Sequence, residues 1–139
     1  MERPKSGGSY GSAAFLGLEV LEEREVPSIS IRIDYSLDSP ANGGTGFFTT
    51  HPAARQVMEQ VAYEMGQRID ARLAAISPSG NNTWTATVYH PGTGSLYSIA
   101  NLRVPADTII VYVGGRSIPG AEAGFGGYGG YSWSGSASW

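Results

Sequence analysis

This sequence predicts an α/β (α+β) domain: a twisted mixed sheet of about four to five strands, in the order β-α-β-β-β, with one long amphipathic helix packed on one face. Three observations carry that expectation. Ile29, Ile31, Ile33, Tyr35 and Leu37 alternate with Ser30, Arg32, Asp34 and Ser36, the period of a half-buried strand. Val57, Val61, Met65, Ile69, Leu73 and Ile76 recur every three or four residues, the period of a helix with one apolar face. The segment from Ala106 to Gly115 holds the unbroken run Ile109-Ile110-Val111-Tyr112-Val113, which predicts a strand covered on both faces in the middle of a sheet.

In chain order, the first strand is broken by Ser39-Pro40-Ala41-Asn42-Gly43-Gly44, a turn composition. Phe47 and Phe48 lead into the helix, with Pro52 in its first turn and Thr50 or His51 as the cap, positions where a missing N–H is harmless and an accepting side chain is useful. Arg55, Glu59, Glu64, Arg68, Asp70 and Arg72 fall mainly on the polar faces, so the expected helix runs for about 25 residues. Gly66 costs such a helix about 1 kcal/mol against Ala, which points to close packing there. Ser77-Pro78-Ser79-Gly80 ends it, by the usual breaker chemistry. Thr83 to Tyr89 predicts a strand with Trp84, Ala86 and Val88 on one face, and His90-Pro91-Gly92-Thr93-Gly94-Ser95 predicts a hairpin turn into Leu96–Ile99, because such residues reverse a chain readily. A helical crossover between the first strand and Ile109–Val113 implies that these two are parallel neighbours, with the hairpin at an edge.

The chain divides into a polar N-terminal segment (1–28), a core (29–115) and a Gly/Tyr/Ser/Trp-rich tail (116–139). Nine of its 20 glycines lie from Gly114 onward. The part with aliphatic periodicity is roughly 85 residues, near the size at which one core becomes marginal. Net charge is -3 and Lys5 is the sole lysine; without a basic face, nucleic acid is not an expected partner. No apolar run is long enough to span a bilayer. With no cysteine there is neither a disulfide framework nor thiolate chemistry. Charged residues make up only 15% of the chain, a low share that suits an exported surface protein.

Candidate chemistry is sparse. The two histidines, His51 and His90, are not spaced for a zinc helix and are expected at the surface. No Gly-x-Ser-x-Gly elbow surrounds any serine. Gly124-Phe125-Gly126-Gly127-Tyr128-Gly129 formally matches a dinucleotide loop, but about ten residues separate it from the preceding strand and no helix follows, against the requirement of that motif. Asp34, Asp38 and Asn42 lack the spacing of a calcium loop and are expected as solvated strand-end groups. Four tail aromatics, Tyr128, Tyr131, Trp133 and Trp139, are the candidate ligand contacts, able to stack on a glycan or peptide or to pack within their own loop.

Two resemblances sharpen this picture. Leu18-Glu19-Val20-Leu21-Glu22-Glu23-Arg24-Glu25-Val26-Pro27-Ser28 resembles a short N-terminal targeting motif of exported bacterial proteins, which implies an extracellular or cell-surface location. Ile31-Arg32-Ile33-Asp34-Tyr35-Ser36, the turn into Phe47-Phe48, Asn82-Thr83-Trp84-Thr85-Ala86, and above all Val104-Pro105-Ala106-Asp107-Thr108-Ile109-Ile110-Val111-Tyr112-Val113-Gly114-Gly115-Arg116 together resemble the N-terminal part of secreted, matrixin-like (zincin) zinc metallopeptidases of bacteria. That resemblance covers about residues 29–139 and implies a partial zincin-like upper subdomain, from a truncated or degenerate relative. The His-Glu-x-x-His helix of such a family is not in this sequence, so no metal ligand or catalytic residue carries over. Zinc is implied for the full-length family, and no cofactor is expected in this chain, which is expected to be inactive alone. The partners implied are a peptide or protein substrate, or another chain joined through an open sheet edge. A second reading, from a different class, is a small exported binding or surface module that contacts glycan or peptide through its aromatic, glycine-rich tail.

Overall fold

The computed structural model describes residues 28–120 and 123–136. The targeting-like motif up to Pro27 and the tail residue Trp139 lie outside the described residues. The fold is α+β: five strands in two sheets, with one main helix. Strand β1 (Ser30–Asp34) pairs in parallel with β4 (Thr108–Tyr112), in the register Ile31 to Ile109 and Ile33 to Val111. This is the crossover pair that the sequence predicts. The hairpin also forms, from β2 (Thr83–Tyr89) and β3 (Leu96–Ala100), but it belongs to a separate antiparallel sheet. The third strand of that sheet is β5 (Gly130–Ser134), supplied by the glycine-rich tail and paired with β2 on the side away from β3. Here Trp84 faces Trp133 and Ala86 faces Tyr131 across the ladder. Gly129 makes the approach feasible, since a Cβ there would collide with the Thr87 carbonyl oxygen.

The helical region is shorter than its periodicity suggests. A single turn, α1 (Phe47–Thr50), precedes α2 (Pro52–Gly66), and Leu73 and Ile76 lie beyond it in irregular chain. The helix stops at Gly66 because its backbone meets β1 there. The Ile29 N–H donates to the Gly66 carbonyl at 3.3 Å, and a Gly66 Cβ would overlap the Ile29 carbonyl oxygen. That contact also rotates the helix relative to the expected stripe. Ala62 and Gly66 are buried with Met58 and Ala54 half-buried on the same side, whereas Val57, Val61 and Met65 are 62%, 45% and 53% exposed. A close helix-to-strand approach selects the small residues one position along and leaves the larger aliphatics on an outer flank.

The β4 strand departs from expectation in the same way. It is not covered on both faces: Ile109 and Val111 are each 37% exposed. Its sheet has two strands, and the short helix packs mainly against β1, so β4 is an edge strand, not a central one. Ile110 and Tyr112, on the opposite face, are half-buried against the antiparallel sheet, beside Trp84, Val88 and Tyr131. The buried apolar side chains among the described residues are Ile29, Leu37, Phe48, Ala62 and Ala86. No helix of the described residues is long and apolar enough to cross a membrane.

Candidate functional site

A cleft of about 1210 Å³ lies between the two sheets. One wall is β4 and its continuation through Arg116; the other is the end of β2 with the glycine-rich segment Gly124–Gly129. Phe47 and Phe48 close one side. Phe47, Tyr89, Phe125 and Tyr128 therefore give the cleft an aromatic lining around Arg116, and among the described residues no Asp, Glu, Asn or Gln side chain contributes to it.

Two buried polar side chains build this cleft from beneath, and the sequence places neither of them correctly. Asp38 is 2% exposed, not solvated. One carboxylate oxygen accepts from the Phe48 N–H at 2.8 Å and the other from the Gly115 N–H at 3.0 Å. Its own carbonyl accepts from the Gly46 N–H at 2.6 Å. The residue thus ties the start of α1 to the exit of β4. Thr45 Oγ1 adds a hydrogen bond to the Gly115 carbonyl at 2.6 Å, so the backbone just before Arg116 is held on both its donor and its acceptor side. Gly115 is required there, because a Cβ would run into the Phe47 ring.

His90 is the second correction: it is 4% exposed, not a surface residue. Nδ1 receives the Gly92 and Thr93 N–H groups at 3.1 and 3.3 Å, and Nε2 lies 2.7 Å from the Asn42 carbonyl. Two donors on Nδ1 and an acceptor at Nε2 define one neutral tautomer, protonated at Nε2. The ring fixes the hairpin turn and staples it to the Ser39–Gly44 loop. His51 is exposed at the start of α2, with its ring stacked on Phe47 at 4.3 Å and Nδ1 near the Phe47 carbonyl at 2.9 Å; its side chain makes no cap. Asp34 accepts from the Ser36 N–H at 2.8 Å, a local turn bond. Asp34, Asp38 and Asn42 form no common oxygen cage.

Arg116 is the cleft residue that the sequence signalled least. Its guanidinium lies 5.9 Å from the centre of the Phe125 ring. It passes over the hairpin turn at Gly94, where the backbone is left-handed (φ 77) and a Cβ would overlap the guanidinium. Among the described residues the ion pairs are Arg32–Asp34 and Arg55–Glu59, and Arg116 has no carboxylate partner. Between the sheets, burial first and the Asp34 carboxylate second push the Tyr112 phenol above its ordinary value, with Arg32 opposing, so this hydroxyl is a neutral group at physiological pH.

The tail candidates separate in the structure. Tyr128 lines the large cleft and is 94% exposed. Tyr131 lines a smaller cleft of about 260 Å³ that continues between β2 and β4. Trp133 stands opposite Trp84 on β5 and lines neither. Among the described residues no group of three or more His, Cys, Asp or Glu is placed to hold a metal ion. Comparison with known proteins finds no match: no family model, no curated protein and no solved structure resembles this chain.

Proposed function

We propose that this chain is a polypeptide-binding module whose ligand occupies the cleft between the two sheets. The observation that carries this reading is the lining: a cleft of about 1210 Å³ with aromatic walls, glycine backbone and one cation, Arg116, that has no carboxylate partner among the described residues. Binding sites are typically concave, mostly apolar and supplied with a few fixed polar groups. Sugar hydroxyls are best met by carboxylate and amide side chains, and none is among the described residues of this lining; peptide side chains and carboxylates are met by aromatic faces and a guanidinium. The targeting-like motif of residues 18–28 supports an extracellular or cell-surface setting within the same proposal.

The test is an immobilised random-peptide screen and a glycan array, both probed with the full chain. Saturable peptide binding is expected, weakened about tenfold or more when Phe125 and Tyr128 are both replaced by Ala, in line with loss of aromatic anchors. Binding confined to glycans, or peptide affinity unchanged in that double variant, would count against the reading.

A second reading keeps the chain as the N-terminal scaffold of a matrixin-like metallopeptidase. The parallel β1–α2–β4 unit favours it, since that is the first element the resemblance implies. On this reading the purified chain shows no chelator-sensitive cleavage of casein; such cleavage would refute the inactivity of the isolated scaffold.

A further inference from the structure

We infer that the ligand is an extended peptide that adds as a strand to the free edge of β4, with a carboxylate seated on Arg116. This rests on the polypeptide-binding reading and specifies its geometry.

The hydrogen-bond alternation of the parallel pair carries the inference. The Ser30 N–H donates to the Asp107 carbonyl at 2.8 Å, and the Val113 N–H donates to the Asp34 carbonyl at 3.1 Å. With the register Arg32 to Ile110, the odd-numbered residues of β4 therefore turn their backbone groups toward β1. In a strand the alternate residues turn theirs the other way. The N–H and C=O groups of Thr108, Ile110 and Tyr112 point outward, and among the described residues β4 has no second strand neighbour. Ile110 and Tyr112 line both the large cleft and its smaller continuation, so this open edge lies along the floor of the cavity. An unpaired edge of this kind is a template for another strand. Five residues of strand span roughly 17 Å, a length suited to a short extended peptide.

Charge selects the occupant. Arg116 follows β4 directly, on a backbone clamped by Asp38 and Thr45. Its side chain is directed by Gly94 below and Phe125 above, and among the described residues no carboxylate neutralises it. A guanidinium at the end of an open ladder is a seat for a carboxylate, which it can take through two parallel N–H donors. A peptide added in parallel to β4 ends where β4 ends, so the carboxylate that meets Arg116 is the peptide's C-terminus.

The experiment uses the full chain with three forms of one heptapeptide selected from a random pool: the free acid, the C-terminal amide, and the free acid N-methylated at alternate backbone positions. The free acid is expected to bind at least tenfold tighter than the N-methylated form, as loss of ladder hydrogen bonds demands. Binding should also slow hydrogen exchange at the Ile110 and Tyr112 amides. The carboxylate assignment predicts that Arg116→Gln abolishes the preference for the charged peptide. If the amide form binds as well as the acid, the carboxylate seat on Arg116 is overturned. Arg116 is exposed, and far-UV circular dichroism verifies that the variant is folded. Peptide binding that ignores both N-methylation and Arg116→Gln would overturn the strand-addition geometry while leaving a polypeptide-binding cleft. Absence of binding to any peptide would overturn the underlying reading. Concentration-dependent self-association that protects the same two amides without peptide would assign the edge to a second copy instead.

Discussion

Asp38 shows how much of this molecule turns on single polar side chains. In sequence it is one of several acidic groups in a polar turn. In the structure it is buried and satisfied by two backbone N–H groups that lie 67 residues apart, those of Phe48 and Gly115. Removing the acceptor leaves two buried donors unmet, which costs about 3 kcal/mol. Asp38→Ala is therefore expected to lower unfolding free energy in urea by that amount, and Asp38→Asn by roughly half as much, because one accepting oxygen survives. Equal stability of Asp38→Ala and the parent would contradict the clasp. His90 belongs to the same category. Its residue type hints at a surface turn, yet its ring is what organises the turn. The Gly92 and Thr93 donors to His90 are local, but the Asn42 carbonyl at Nε2 and the Gly115 N–H at Asp38 are brought in by the fold, and it is these that bury the two side chains.

At the scale of the element, α2 and β4 show where periodicity informs and where it misleads. The spacing of Val57, Val61 and Met65 correctly marks a helix. It does not mark the buried face, because face selection depends on how closely the helix approaches its neighbour. At Gly66 that distance leaves no room for a methyl group. Gly66→Ala, which ordinarily stabilises a helix by about 1 kcal/mol, is expected here to destabilise by about 2 kcal/mol through overpacking. Val61→Lys, on the open flank, is expected to change stability by no more than about 0.5 kcal/mol. Thermal and urea unfolding of the two variants measures both signs. A stabilising Gly66→Ala would remove the close approach as the reason the helix ends. For β4, a run of apolar β-branched residues identified the strand and its partner. Its status as an edge depended on the number of strands the fold assembled beside it.

For the molecule as a whole, two small sheets and one main helix yield few buried apolar side chains among the described residues, two of which are alanines, Ala62 and Ala86. Such a core supplies little beyond what chain ordering removes. The unliganded chain is expected to unfold with a free energy of about 5 kcal/mol or less. A bound peptide at about 100 times its Kd should raise that by about 2.7 kcal/mol. Urea titration with and without the selected peptide checks both values. An unliganded stability near the upper end of the ordinary range for domains would show that this core is larger than the buried side chains indicate.

Short-range chemistry accounts for what could be read along the chain. Alternation at Ile29–Leu37, the 3.6-residue period before Gly66, the turn residues around Gly92 and the apolar run at Ile109–Val113 depend on neighbours a few positions away. They were enough for the α+β class, the parallel β1–β4 pair and the hairpin. The division into two sheets, the recruitment of Gly130–Ser134 as a strand, and the placing of Asp38, His90 and Arg116 around one cleft were decided by tertiary structure alone. Those features come from contacts between segments tens of residues apart, where a glycine without a Cβ or a buried acceptor between two donors selects one packing from several that the local pattern permits.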